Sequence, residues 1–292
     1  MAGLSVAMVI GANVSDDLPL PDWQRAVGES PLLMVSDDPA TADLRVEAFP
    51  DGIFRFYRPD EASALAAVKI PVKRAQALPR RLLGLLEHIA AYTNLLQIQP
   101  PSPFLGDSVR VEFFQLVTPA TRTTLPQVAP LSPNSAGELA LTSGQSLVIQ
   151  VSHTALSPLY VYVVALDTRR LGSTLVYPYS PDQLTKVVPN EILIIGGGPV
   201  YTVDLELPAA ELSSLDLFKI FISSSPIDAK VMALPPLGQR QEPSSDPYGA
   251  GSRLDRELRL AILGQSGLTP IPDFYRDPWW CCQQPIRITA NR

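Results

Sequence analysis

The stretch Asn190–Leu207, NEILIIGGGPVYTVDLEL, decides how the chain is read. An apolar strand runs into three glycines, as strands do ahead of a phosphate-binding loop. A dinucleotide-binding fingerprint needs G-x-G-x-x-G and must open a helix whose N-terminal amides face the pyrophosphate. Gly196 and Gly198 satisfy the first half, but Tyr201 occupies the third glycine position. Pro199 follows at once, and the residues beyond it alternate as a strand does. No Walker-type Gly-Lys-Ser/Thr occurs in the chain. The stretch therefore reads as strand, glycine turn or bulge, strand.

The surrounding sequence repeats that pattern. SVRVEFFQLV, GELALTSGQSLVIQVSH (two strands split by Ser143-Gly144), LYVYVVALD, STLVYPYS and DLFKIFISSS follow one another at the spacing of a sandwich. QPIRITANR reads as a final edge strand, and SRLDRELRLAILGQ as a short helix ended by Gly264. The 30 prolines punctuate the chain along its length, marking strand ends, edges and connectors.

Ahead of Ser108 the pattern differs. LSVAMVI is a strand, PDWQRAVGES a short helix, and PLLMVSDD a second strand. ADLRVEAFPDGIFRFYRP alternates on both sides of Asp51-Gly52, a strong hairpin signal. From Lys73 to Ile98, apolar residues at Leu78, Leu82, Leu85, Leu86, Ile89, Tyr92 and Leu96 describe one face of a long helix. The expected fold is α+β: an α/β subdomain over 1–104, with the long helix packed on a short sheet, then an antiparallel Ig-like β-sandwich over 105–292. A mobile Pro/Gly-rich loop is expected near 236–252.

Composition narrows the function classes. At 292 residues with 46% hydrophobic and 18% charged residues, the chain has material for buried cores. A net charge of -6 argues against a nucleic-acid binder, whose footprint is a basic stripe. No window approaches the roughly 18 uninterrupted apolar residues of a membrane span, and the N-terminus lacks the basic region of a signal peptide. A soluble, cytoplasmic protein is expected.

The reactive groups are few. Cys281 and Cys282 are adjacent and make no disulfide framework. With His88 or His153 either could form a Cys/His dyad, the basis of an alternative reading as a cysteine hydrolase. His88 reads as a helix-edge residue and His153 as part of a turn. Metal-ligand spacings such as C-x-x-C are absent, and no cofactor is expected. Asp16-Asp17 and Asp37-Asp38 read as capping and turn residues. DFYRDPWWCC concentrates Phe274, Tyr275, Trp279 and Trp280, which either plug a core or form an aromatic binding patch for a partner or a ligand.

Several stretches resemble the accessory C-terminal regions that follow caspase-like peptidase domains in microbial proteins. They are ATADLRVEAFPDGIFRFYRP, LLGLLEHIAAYTNLLQI, SPLYVYVVALDTRRLGSTLVYPYSPDQLTKVVP, LDLFKIFIS and DPWWCCQQPIRIT. The similarity spans roughly Ala42 to Thr289, and its motifs are structural. It implies a β-sandwich accessory or regulatory module whose partner is a protein or peptide, including a caspase-like peptidase domain in cis or trans. No catalytic residue carries over: neither histidine precedes a glycine, and no Asp-x-Cys occurs.

Overall fold

The computed structural model describes residues 3–10, 21–49, 52–59, 61–70, 78–100, 105–180, 183, 186–198, 201–207, 211–239, 252–264 and 277–291. The chain opens with β1 (Leu4–Ile10), α1 (Pro21–Gly28), β2 (Leu33–Val35), β3 (Leu44–Ala48), β4 (Ile53–Tyr57) and β5 (Ala66–Lys69). These strands form one sheet in the order β2-β1-β3-β4-β5. β1 is parallel to β2 and β3, whereas β3, β4 and β5 run antiparallel. Gly52 closes the β3–β4 connection at φ 75°, the left-handed conformation a glycine takes without steric cost.

α2 (Leu78–Gln97) follows, and residues 73–77 of the expected helix lie outside the described residues. Its buried set includes Ile89, Ala90, Ala91 and Tyr92 in succession. Four consecutive positions circle a helix, so α2 is covered on more than one side. The expected packing on the small sheet is joined by packing on the sandwich: Phe54, Phe56, Leu86 and Ile89 belong to one apolar cluster with Tyr162, Val164, Phe221 and Trp279 of the sandwich. The units on either side of residue 104 share a hydrophobic core.

The remaining strands are β6 (Val109–Thr118), β7 (Gln127–Pro130), β8 (Leu139–Thr142), β9 (Gln145–His153), β10 (Leu159–Asp167), β11 (Gly172–Tyr177), β12 (Lys186–Val187), β13 (Ile192–Ile195), β14 (Val203–Leu205), β15 (Ser213–Ser223) and β16 (Trp279–Thr289). One sheet has the order β13-β9-β6-β7, with β14 also on β9. The other runs β11-β10-β15-β16-β8, with β12 on β10. A second cluster, including Ile149, Val151, Val163, Phe218, Ile220 and Ile286, fills the space between them. The second sheet is thus apolar on both faces, packing α2 and α3 (Arg253–Leu263) on one and its partner sheet on the other.

Two expectations are corrected. The closing segment is no edge strand: β16 begins at Trp279, pairs antiparallel with β15 along its full length, and pairs parallel with β8. Ile286 and Ile288 are fully buried, which places the strand inside the sheet. The β8–β16 pair also means that the sandwich is not wholly antiparallel. Ser143-Gly144 separates two strands as read, but they lie in different sheets. In the Pro/Gly-rich loop, 240–251 fall outside the described residues. Among the described residues, no helix is long and apolar enough to cross a membrane.

Candidate binding cleft

The glycine stretch lies between two strands, with Pro199 and Val200 outside the described residues. β13 and β14 both pair with β9, and Gly197 bridges to Thr202 between them. Gly196 has φ 83°, and a Cβ there would press on the carbonyl oxygen of Leu147. Its amide donates to Tyr179 Oη at 3.3 Å, and the Tyr179 ring stacks on Tyr201 at 4.1 Å between centroids. Glycine at 196 allows β13 to approach β9, and among the described residues no helix begins there.

The two cysteines and two histidines are engaged with different parts of the fold. Cys281 is buried on β16, and its thiol donates to Ile98 O at 3.6 Å. Burial pushes the Cys281 thiol up and the Cys282 thiol up to about 12, the opposite of what a nucleophilic thiolate needs. His88, half-buried on α2, donates from Nε2 to Leu171 O at 2.7 Å, and burial lowers its pKa. It ties the long helix to the β10–β11 turn, a role that spacing did not reveal. His153 ends β9 instead of standing in a turn; it is buried and donates from Nε2 to Val187 O at 3.0 Å.

Trp279 is 2% exposed and sits in the core shared with α2, while Trp280 is half-buried against the interior of the sandwich. Trp279 is therefore not part of an exposed patch. Phe274 and Tyr275 lie outside the described residues, as do Asp16 and Asp17. Asp38 caps its own turn, accepting from Ala40 N at 2.9 Å and Thr41 Oγ1 at 3.0 Å. Among the described residues, no His, Cys, Asp and Glu cluster has the geometry to hold a metal ion.

Two buried polar constellations escaped the sequence reading. Lys219 on β15 has no exposed surface and donates to Leu95, Leu96 and Ile98 carbonyls at 3.0, 2.8 and 2.7 Å. Those are the acceptors that the C-terminus of α2 leaves without helical partners. Asp255 on α3 binds Arg259 Nε at 2.9 Å, and Arg259 reaches Asp228 at 3.0 Å. Both sets are satisfied internally, so neither offers a free group to a ligand.

Open space lies beside α2. A cavity of about 650 Å³ borders its C-terminal half, near Asp43, Arg58 and Glu257. A larger cleft of about 1020 Å³ runs along Arg81, Gly84, Leu85, His88 and Ala91, between the end of β5 and the end of α3. Those helix positions recur every three or four residues and form one stripe. Leu32, Leu85 and Ile262 supply an apolar floor, while Lys69, Arg80 and Arg81 are exposed at its rim. No family model, curated protein or solved structure matches the chain.

Proposed function

We propose that the chain is a non-catalytic accessory or regulatory module that binds a protein or peptide partner through an exposed strand edge. One observation carries this reading: among the described residues β5 is the last strand of its sheet, and its end borders the larger cleft. Ile70 N donates to Gly52 O, so the antiparallel alternation turns Ala66 and Val68 toward β4. Ala67 and Lys69 then direct their amides outward, where no partner occurs among the described residues. Such a row of donors and acceptors is the template for strand addition. The resemblance to regions beside caspase-like peptidases supports that partner class, and an Ig-like arrangement of the sandwich.

Panning a random-peptide display library against the full chain tests the edge. Enrichment of extended peptides is expected, with binding lost in Ala67→Pro. That substitution removes an outward donor and leaves the ladder to β4 intact. Enriched peptides that bind Ala67→Pro equally well would rule out the edge. The hydrolase alternative has its own check: at neutral pH, a thiol-reactive probe should label Cys281 and Cys282 no faster than it labels them in urea. Selective, rapid labelling of the native protein would revive it.

A further inference from the structure

We infer that the cleft along α2 receives an acidic extended peptide, whose apolar side chains meet the floor and whose carboxylates meet Lys69, Arg80 and Arg81. The inference rests on the strand-edge reading and names the chemistry of the partner. Two independent observations support it.

The first is charge. The chain carries 23 basic and 29 acidic residues, yet three of the four fully charged side chains lining this cleft are cations. None of the three forms an ion pair among the described residues. The carboxylate present, Glu87, is half-buried and accepts from Ser30 Oγ at 2.8 Å. Arg80 and Arg81 also stand at the start of α2, whose first turn has no acidic residue. Helix dipoles favour anions there, so the arginines are unfavourable for the isolated helix and oriented for a negative ligand.

The second is space. Gly84 lies in the interior of a 20-residue helix, exposed, with no atom of the described residues within 4 Å of the position a Cβ would take. Glycine in a helix interior is less stable than alanine, and no neighbour among the described residues requires it here. Its effect is to lower the wall of the cleft between Arg81 and His88, where a backbone can approach. An extended chain alternates its side chains. One face can fill the Leu32, Leu85 and Ile262 floor while the other reaches the basic rim.

The test measures fluorescence anisotropy of three labelled peptides with alternating residues, Glu-Val, Ser-Val and Lys-Val, on the full chain. The Glu-Val peptide is expected to bind about ten-fold more tightly than Ser-Val, with affinity falling as salt rises. Arg80→Glu combined with Arg81→Glu should remove that preference. Gly84→Leu should block binding while leaving the thermal midpoint unchanged or higher. Equal binding of all three peptides, lost in Ala67→Pro, would sink the charge assignment and leave strand addition standing. Acid-selective binding that survives both cleft variants would place the site elsewhere. Absence of binding by any peptide would overturn both readings. Displacement by inorganic phosphate or a deoxythymidine oligonucleotide as effective as by unlabelled peptide would reassign the cleft to small anions or to nucleic acid.

Discussion

Lys219 shows how one residue joins distant parts of the fold. Its protonated amine has three N–H groups, and three carbonyls of the α2 terminus receive them. Burial pushes this amine down to about 8 from 10.5. Removing it by Lys219→Met would leave the Leu95 and Leu96 carbonyls without a donor, at roughly 2 kcal/mol each, and Ile98 O with only the Cys281 thiol, at roughly 1 kcal/mol. About 3 kcal/mol is recovered by no longer burying a cation so strongly shifted. The carbonyls win, and a net loss of about 2 kcal/mol is expected in urea unfolding at pH 7. The pH dependence has a definite sign. Between about 8 and 10.5 the unfolded chain still holds the proton that the folded protein has released. Unfolding takes up a proton there, so the Lys219 contribution makes stability rise with pH across that window. The wild-type urea midpoint should therefore climb relative to Lys219→Met from pH 8 to pH 10; parallel profiles would contradict it. Gly196→Ala tests the opposite kind of site, where a side chain must be absent. A positive φ and pressure on Leu147 O together should lower stability by roughly 2–4 kcal/mol.

At the scale of elements, α2 and α3 respond to different local rules. Gly84→Ala adds no clash and removes a flexible residue from a helix interior, so a gain of about 0.5–1 kcal/mol is expected in thermal unfolding. Ser252 caps α3 by accepting from Asp255 N at 3.0 Å, and Ser252→Ala should lose about 1 kcal/mol. Local signals of this kind were legible in sequence. The Ser252 start and Gly264 stop bracket α3, Gly52 marks the β3–β4 turn, and apolar alternation locates β6, β9, β10 and β15. What was not legible depends on pairing across long separations. Nothing near Trp279 announces that its strand will lie between β15 and β8, because both neighbours are remote in sequence. Lys219 reads as the polar step of an alternating strand, yet that face is covered by a helix more than a hundred residues earlier. The cleft was missed for the same reason: Lys69, Leu32 and Ile262 meet only after the chain has folded.

Those long-range contacts decide how the whole molecule behaves as a unit. A boundary near residue 104 is natural in the order of elements, since an α/β pattern gives way to strands there. Packing overrides it. The second sandwich sheet turns Tyr162, Val164, Phe221 and Trp279 toward α2 and α3, all of them at most 2% exposed. A fragment of residues 105–292 would keep α3 but lose α2, uncovering much of that face. Burying one large apolar side chain contributes about 1.5–3 kcal/mol, and whole domains are stable by only about 5–15 kcal/mol. Uncovering several such groups, and leaving Lys219 without its three carbonyls, removes a margin of that size. The full chain is expected to unfold in one cooperative urea transition, with tryptophan fluorescence and far-UV circular dichroism coincident. The fragment should bind a hydrophobic dye and lose cooperativity. A fragment that melts sharply and binds no dye would show instead that the sandwich core of Ile149, Phe218 and Ile286 is sufficient alone, and that α2 is docked on a finished domain.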